Sequence, residues 1–323
     1  MNRTNLVLLG VLLVQGACIG IQQLGGDEPT EAVARGPLLP DVDADAITEL
    51  VIVDGQAESE NTVTLRKQGD RWLVAERWNA QADADKVDEL IRELAALEVA
   101  DLVSTSGLHH VELGVAPNDF TKKVTLGGQT LFLGTSGRGG STHARVDGAD
   151  RVVAVRDFSS WRVNARPDGW VDRTVVEIDP ATVKDLQVLK QDGAYSLTRE
   201  GEGDAAAWLL SDGDALVPVD PAEADKLVKK AAKITATKVL GEYGQVDGQL
   251  MQVNVVTDDG TVTYRVGPGE ADNTYVLGRE DGAHLFEVSS YAVKDLVESS
   301  YATLVEFALQ EGPVDPLDDA PVE

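Results

Sequence analysis

Residues 83–97 read DADKVDELIRELAAL and residues 220–234 read DPAEADKLVKKAAKI. Asp83 is a suitable N-cap for the first stretch, and Asp220 followed by Pro221 is a typical helix start for the second. Apolar residues then recur at helical spacing, and the spacing is the same in both stretches. They are Val87, Leu90, Ile91, Leu94 and Leu97 in the first stretch, and Ala224, Leu227, Val228, Ala231 and Ile234 in the second. The sequence therefore predicts two amphipathic helices with matching buried faces.

Strand-like runs surround the two helices in the same order. Before the helices they cover residues 47–53, 62–66 and 71–74, and then 183–189, 195–199 and 207–210. After the helices they cover residues 124–126, 130–134, 142–146 and 152–155, and then 251–256, 262–267, 274–277 and 285–288. Short strands joined by tight turns favour antiparallel sheets. The predicted fold is α+β, with two tandem similar domains, each an antiparallel sheet with one long helix packed on a face.

Each copy is expected to close with a shorter helix and a final strand. The helices are expected to begin at residues 158–161 and 291–296, and the final strands to cover residues 175–178 and 304–307. The first repeat domain then spans residues 45–178 and the second spans residues 179–308. Residues 22–44 are predicted to form a flexible acidic stalk, and residues 309–323 a disordered acidic tail.

The N-terminal residues 1–21 contain an uncharged run, LVLLGVLLVQGACIGI, at residues 6–21. As a helix it would span roughly 24 Å, slightly less than the bilayer core of about 30 Å. Arg3 precedes the run and acidic residues follow it, so the positive-inside rule places the N-terminus in the cytoplasm. Three interpretations stay open: an uncleaved anchor, a lipoprotein signal modified at Cys18, and a cleaved signal peptide. We expect a protein of the inner membrane whose folded part faces the periplasm.

Composition limits the possible functions. The 323 residues include 55 acidic and 28 basic side chains, which gives a formal charge of -27. Such a polyanion would repel the phosphates of nucleic acids, so no nucleic-acid partner is expected. The one cysteine, Cys18, lies inside the apolar run and offers neither an intramolecular disulfide nor a cysteine metal cage.

Motifs for cofactors and catalysis are incomplete. His109 and His110 are adjacent and cannot form a two-histidine clamp, and His143 and His284 are isolated. The glycine-rich run at residues 134–140 lacks the lysine of a phosphate loop and is interpreted as a hairpin loop. Residues 41–45 alternate acids like a calcium loop, but its later glycine and glutamate are missing. We therefore predict no catalytic residues, no metal and no cofactor.

The tryptophans suggest both core and surface roles. Trp72 and Trp208 occupy matching places in the two copies, which favours packing onto the helices. Trp78, Trp161 and Trp170 have no match and are candidates for exposure. Tryptophan and arginine are common interface anchors, so the candidate partner-binding residues are Trp161, Arg162, Arg166, Trp170 and Arg173. The alternative for these residues is packing and charge balance in a very acidic protein.

Four short segments carry a resemblance to a known family. They are GDRWLV at residues 69–74, the helix at residues 83–97, ELGVAP at residues 112–117 and LFLG at residues 131–134. With the N-terminal segment, they resemble the bacterial domain of unknown function 4340 family over about residues 45–307. The resemblance implies an accessory envelope protein found beside ABC-type transporters of the gliding-motility kind, without assigned catalytic residues. Residues 242–245 of the second copy depart from the ELGVAP pattern.

Together these features predict a non-enzymatic, membrane-anchored envelope protein. The expected role is that of an accessory or scaffold subunit of an ABC-type transport or gliding-motility-like system. Its partners would be envelope or inner-membrane proteins, with an ABC transporter permease as a candidate. The alternatives are a glycan- or ligand-binding envelope module and an unrecognised cell-envelope hydrolase.

Overall fold

The structure is a computed structural model that describes residues 36–59, 61–201, 206–213 and 215–310. The predicted anchor at residues 1–21, with Cys18, lies outside the described residues. So do residues 22–35 of the predicted stalk and residues 311–323 of the predicted tail. In the described part of the chain, no helix is both long and apolar enough to cross a membrane.

The described chain is rich in β-structure and contains few helices. Its strands are β1 (Glu49–Asp54), β2 (Thr62–Gln68), β3 (Arg71–Val74), β4 (Ala80–Gln81), β5 (Val99–Ser104), β6 (Val115–Ala116), β7 (Asp119–Phe120), β8 (Lys122–Leu126), β9 (Gln129–Ser136), β10 (Thr142–Val146), β11 (Val152–Val155), β12 (Thr174–Glu177), β13 (Asp185–Lys190), β14 (Gly193–Glu200), β15 (Ala207–Ser211), β16 (Leu216–Pro218), β17 (Lys233–Thr235), β18 (Lys238–Glu242), β19 (Met251–Thr257), β20 (Gly260–Pro268), β21 (Thr274–Arg279) and β22 (His284–Ser289). Its α-helices are α1 (Ala84–Ala95), α2 (Pro221–Ala232), α3 (Ser290–Glu298) and α4 (Tyr301–Gln310).

The strands form two large sheets and two small two-stranded ones, and neighbouring strands such as β13 and β14 pair antiparallel. The chain divides into two compact units. The first unit comprises the described residues up to Ala44 together with Arg92–Val163, and it contains the strand run β8-β9-β10-β11-β5. The second unit comprises Asp45–Ile91 and the described residues from Asn164 onward. It contains the run β4-β3-β2-β1 and the nine-stranded sheet β16-β15-β14-β13-β19-β20-β21-β22-β18.

The strand order recurs along the chain. The run β4-β3-β2-β1 is repeated as β16-β15-β14-β13, and the run β8-β9-β10-β11-β5 is repeated as β19-β20-β21-β22-β18. One twelve-residue helix follows the first four strands of each series, α1 after β4 and α2 after β16. The prediction of antiparallel sheets is confirmed.

Both predicted helix faces are buried. The ten apolar residues of the two stretches are all nearly inaccessible to solvent. The Oδ1 atom of Asp83 accepts the Lys86 N–H at 3.2 Å, and that of Asp220 accepts the Ala222 N–H at 3.1 Å, so both caps form as predicted. The helices end before the last apolar residue of each stretch, and Ile234 lies in β17, opposite Val176 of β12.

Residues 36–44 correct the prediction of a flexible stalk up to residue 44. Leu38 and Leu39 are buried. The Leu38 N–H donates to the Leu97 carbonyl at 2.6 Å, and the Val99 N–H donates to the Gly36 carbonyl at 2.9 Å. Burial of two leucines offsets the ordering of the chain, so this part of the segment packs within the first unit.

The closing elements also differ from the prediction. Residues 291–296 lie in α3 as expected, whereas the segment at residues 158–161 leads only into a 3-10 turn, Ser160–Arg162. Residues 304–307, predicted as a strand, lie in α4. The reason is a reciprocal cap: the Thr303 N–H donates to Ser300 Oγ at 3.2 Å, and the Ser300 N–H donates to Thr303 Oγ1 at 2.9 Å.

Strand β12 packs in the same hydrophobic core as the later elements of the chain. It pairs with β17, and the Ile178 N–H donates to the Ala232 carbonyl at 2.8 Å. Val175 and Val176 lie in one hydrophobic cluster with residues that extend to Leu304. The strand assigned to the end of the first repeat therefore packs with the elements of the second.

Candidate functional site

Trp72 and Trp208 make the same contacts in the two halves of the chain. Both indoles are buried, and the Nε1–H donates at 2.9 Å to Asp88 on α1 and to Asp225 on α2, respectively. The Lys67 ammonium lies 5.6 Å from the centre of the Trp72 ring, and the Arg199 guanidinium lies 5.8 Å from that of Trp208. The prediction that these tryptophans pack onto the helices is confirmed, and they are structural.

Each of the four histidines has a different hydrogen-bond partner. His109 Nδ1 lies 2.9 Å from Ser104 Oγ, His110 Nε2 lies 2.8 Å from the Asp150 carbonyl, His143 Nδ1 lies 3.1 Å from Thr135 Oγ1, and His284 Nε2 lies 2.9 Å from the Trp78 carbonyl. Burial lowers the pKa of His143. Within the described ranges, no three His, Cys, Asp or Glu side chains are grouped so that they could hold a metal ion.

The glycine-rich run begins inside a strand. Gly134 lies in β9, and a side-chain carbon there would overlap the carbonyl oxygen of Leu113. Gly267 in β20 has the same environment, because a side-chain carbon would lie 2.7 Å from the Asp247 carbonyl oxygen. Both glycines let a second stretch of backbone cross the strand closely. The rest of the run closes a hairpin, where the Gly137 N–H donates to the Ser141 carbonyl at 2.7 Å.

The five candidate partner-binding residues differ in exposure. Trp161 is 77% exposed in the first unit, and Arg162 beside it forms an ion pair of 2.5 Å with Glu93. In the second unit, Arg166 is exposed, and Arg173 donates to the Asp168 carbonyl at 3.3 Å.

Trp170 corrects the expectation of exposure, since only 2% of it is accessible. Its Nε1–H donates to the Asn164 carbonyl at 2.7 Å, and its own carbonyl accepts the Asp83 N–H at 2.8 Å. Val171 beside it forms a bridge to Ala82. The segment extends the edge of β4, which buries the ring, so Trp170 cannot act as a surface anchor.

A cleft of about 380 Å³ lies in the second unit. Strands β3 and β4, the segment that leads into β12, and the turn from β21 to β22 form its walls. Its polar lining residues are Arg71, Asn79, Gln81, Asp172, Thr174, Arg279, Asp281 and His284, and its larger apolar ones are Leu73 and Phe286. This volume falls in the lower part of the range of small-molecule sites, roughly 300–1,000 Å³.

One side of the cleft is internally bonded. Arg279 donates to both carboxylate oxygens of Asp281, at 2.8 and 2.5 Å, and to the Val175 carbonyl at 2.9 Å. The hydrogen bond from Arg279 is the main reason that the pKa of Asp281 is lowered. This pair is a rigid, charge-balanced wall of the cleft.

The other side has free hydrogen-bonding groups. The side chain of Arg71 has no hydrogen-bond or ion-pair partner within the described ranges, and neither do the side-chain amides of Asn79 and Gln81. Asp172 uses Oδ1 to accept the Thr174 N–H at 2.9 Å. The cleft therefore presents donors and acceptors that no protein group uses.

A strained turn borders the cleft. Trp78 and Asn79 have φ angles of 53° and 56°, in the left-handed region. This conformation costs about 1–2 kcal/mol per residue, and it is rare for a residue as bulky as tryptophan. The Trp78 carbonyl is hydrogen-bonded to Nε2 of His284, and Trp78 is 45% exposed. Since a carbonyl only accepts, Nε2 of His284 carries the proton.

An ion pair fixes the residue before this turn. Arg77 donates to the two carboxylate oxygens of Asp168 at 2.6 and 2.8 Å. This hydrogen bond is the main reason that the pKa of Asp168 lies below its usual value. The strained backbone at Trp78 is thus fixed by the Arg77–Asp168 ion pair before it and by the His284 hydrogen bond at its own carbonyl. Strained backbone of this kind is common at ligand sites.

A second concave region lies in the first unit. It encloses about 520 Å³, and its lining includes Glu93, Glu98, Arg156, Asp157 and Phe158. Arg156 forms an ion pair of 2.8 Å with Asp101. Since its arginine is paired, this region lacks the free cationic donor that distinguishes the cleft in the second unit.

Most of the cleft could not be found by motif reading. Its walls come from distant parts of the sequence, as the contact between His284 and Trp78 shows. The usable signal was Trp78, a tryptophan without a match in the second half. Arg71 lies within GDRWLV, one of the segments that carry the family resemblance. That resemblance implies a fold but assigns no binding role to Arg71.

The strands, helices and cleft define a sheet-rich protein of mixed α and β structure. The chain belongs to the family described as domain of unknown function 4340 (DUF4340), whose model matches residues 72–247, more than half of the chain. The family resemblance of the sequence is therefore confirmed. No curated protein and no solved structure matches the chain.

Proposed function

We propose that this protein is a non-enzymatic, membrane-anchored component of the bacterial cell envelope that works by contact with other proteins. It is built from two tandem similar α+β domains, each an antiparallel sheet with one long helix on a face. It acts as an accessory or scaffold subunit of an ABC-type transport or gliding-motility-like system, with a transporter permease as its membrane neighbour.

The repeated frame is the observation that carries this proposal. The strand order of β4-β3-β2-β1 and of β8-β9-β10-β11-β5 recurs in the second half, and the Trp72–Asp88 hydrogen bond recurs as Trp208–Asp225. Two similar modules on one chain raise the effective concentration of the second for a shared partner. Duplication of a binding module favours a protein that works by contact.

Trp161 and Arg162 are the surface residues that we assign to the partner. Trp161 is 77% exposed, which is unusual for a residue type that dominates interface energetics. Arg162 is already ordered by its 2.5 Å ion pair with Glu93, so little side-chain entropy is lost on binding.

Crosslinking in intact cells tests the partner. A photoreactive residue near Trp161 should recover an integral-membrane permease or another envelope protein. Trp161→Ala and Arg162→Ala should reduce the yield several-fold, whereas His109→Ala should leave it unchanged. Recovery of no membrane partner, or equal loss with all three variants, would contradict the proposal.

The membrane topology is tested separately. Protease added to spheroplasts should digest the folded part, because residues 1–21 are proposed to hold it on the periplasmic side. Protection until the inner membrane is broken would show the opposite orientation. Cys18→Ser should leave membrane association intact for an uncleaved anchor and abolish it for a lipoprotein.

A catalytic role is the competing class. Turnover of a cell-wall or ester substrate by the purified protein, lost on changing a single histidine or serine, would replace the contact proposal. We expect no such turnover, since each histidine lies against a different partner.

A further inference from the structure

The cleft in the second unit has the chemistry of a ligand site. We infer that it binds a neutral saccharide of one or two rings, with Arg71, Gln81 and Asn79 as hydrogen-bonding residues and Trp78 as the apolar surface. This inference is independent of the proposed transporter partner, because it concerns the cleft alone.

The charge balance of the lining favours a neutral ligand. Arg71 and Arg279 carry two positive charges, and Asp172 and Asp281 carry two negative ones, so their formal charges cancel. Because Arg279 and Asp281 neutralise each other, an anionic ligand would meet Asp172 and a protein with a formal charge of -27, and a cationic one would meet the free Arg71. An uncharged, polar ligand avoids both costs.

The free groups are a mixture of donors and acceptors. The Arg71 guanidinium only donates, the amides of Asn79 and Gln81 do both, and the carboxylate of Asp172 only accepts. A sugar hydroxyl both donates and accepts, so neighbouring hydroxyls can use such a mixture. Arginine and amide side chains each hold neighbouring polar atoms in a planar fork, which can reach two adjacent hydroxyls of a sugar ring.

The strained turn supplies an apolar surface beside these groups. Trp78 directly precedes the cleft residue Asn79, and its carbonyl is fixed by the cleft residue His284 at 2.9 Å. Trp78 is 45% exposed and adjoins the cleft lining without being part of it, and we assign its ring as the flat surface on which the C–H face of a sugar ring stacks. Leu73 and Phe286 add apolar area to the lining.

Calorimetric titration of the full chain tests this assignment. The protein is extracted in a polyoxyethylene detergent, since sugar-based detergents would compete. The neutral probes are cellobiose, maltose and di-N-acetylchitobiose, and the charged probes are glucuronate and glucosamine. We expect saturable binding of at least one neutral disaccharide and weaker binding of both charged sugars.

Variants locate the binding. Arg71→Ala and Gln81→Ala should each weaken the affinity at least about tenfold, as loss of hydrogen bonds to the ligand predicts. Trp78→Gly removes the ring while glycine adopts the left-handed backbone freely, and it should weaken the affinity similarly. Tyr291→Ala removes an exposed aromatic residue outside the cleft lining, and Arg66→Ala removes an exposed arginine paired with Glu49. Both controls should bind within about twofold of the natural chain.

Three results would overturn the inference: no binding of any neutral probe, tighter binding of glucuronate or glucosamine, or binding that survives the cleft variants. Thermal unfolding checks that each variant folds. If Trp78→Gly fails this check, Arg71→Ala and Gln81→Ala decide the outcome, because their side chains are exposed and bond to no described group.

Discussion

Gly134 in β9 and Gly267 in β20 are crossed by backbone in the same way, but the two crossings are stabilised by different side chains. In the first unit, Arg145 faces Phe132, which lies two residues before Gly134. In the second unit, Arg265 takes the place of Phe132 and faces Gly278 in the place of Arg145. The arginine therefore lies on the neighbouring strand β10 in the first unit and on the crossed strand β20 in the second, whereas the crossed strand has a glycine at the crossing in both.

The first crossing is closed by a buried charge. Arg145 is buried, donates to the Val115 carbonyl at 2.7 Å and to the Ala149 carbonyl at 3.1 Å, and stacks 4.5 Å from the centre of the Phe132 ring. Burial lowers its pKa from the ordinary arginine value. The Arg145 guanidinium thus fixes the segment around Val115 by bonding to main-chain carbonyls, which are present whatever the side chains of that segment.

The second crossing is closed by a partly buried aromatic ring. Tyr243 lies over Gly278, where a side-chain carbon would be 2.9 Å from the ring, and its hydroxyl accepts from Arg265 at 2.9 Å. Arg265 also pairs with Glu280 and is partly exposed. The comparison shows that both units share the close backbone crossing at a glycine, whereas the side chains that stabilise the crossing differ between the units.

Alanine at the two glycines is expected to have the largest effect. Gly134→Ala should cost about 3 kcal/mol or more, since the new carbon overlaps a backbone oxygen that cannot move alone. Gly267→Ala should cost about 1–3 kcal/mol, because its nearest contacts are less close. Gly241→Ala, with no atom within 4 Å, is the control and should be nearly neutral. Urea unfolding measures all three, and equal costs at the three sites would break the comparison.

Removal of the arginines should have the next largest effect. Arg145→Met should cost about 1–3 kcal/mol, because the buried Val115 carbonyl and the partly buried Ala149 carbonyl lose their donor. Arg265→Met should cost about 1 kcal/mol or less, since its ion pair with Glu280 is partly exposed. A larger loss for Arg265→Met than for Arg145→Met in the same denaturant series would reverse our assignment.

Tyr243→Phe isolates one hydrogen bond of the second crossing. The ring over Gly278 is kept and the bond from Arg265 is lost, so we expect a cost of about 0.5 kcal/mol, which is no more than the loss for Arg265→Met. In an Arg265→Met background the same change should have almost no effect. Full additivity of the two changes would show that the bond does not contribute.

His143 gives the smallest effect, and it depends on pH. Because burial lowers the pKa of His143, the unfolded chain binds the proton more readily than the folded chain. Its contribution to stability is complete above the ordinary histidine value of 6.5 and is lost as pH falls below it. Unfolding at pH 8 and pH 5 should show a smaller loss for His143→Gln than for the natural chain. An unchanged pH dependence would contradict this.

Local signals predicted much of the fold. The caps at Asp83 and Asp220 and the apolar spacing behind them correctly located both long helices, because capping and amphipathicity act over a few residues. The reciprocal cap of Ser300 and Thr303 is equally local, yet the sequence prediction for residues 304–307 is a strand. The apolar run there fits either structure when the cap is overlooked.

The candidate site was largely hidden from the sequence. The burial of Trp170 depends on its pairing with residues beside α1, and the cleft depends on His284 reaching the Trp78 carbonyl. Such long-range contacts leave no periodic pattern. The sequence places Gly134 at the end of a predicted strand and at the start of a glycine-rich run, but neither pattern shows that a backbone segment crosses β9 at this residue.

The hydrogen bond between His284 and the Trp78 carbonyl also has a consequence for biosynthesis. The two residues are 206 positions apart. At roughly 5–20 residues per second, a ribosome needs about 10–40 s to make the intervening chain. During that time the Trp78–Asn79 turn must wait without its partner, in reach of chaperones and proteases. A nascent chain that stops before β21 cannot complete the cleft at all.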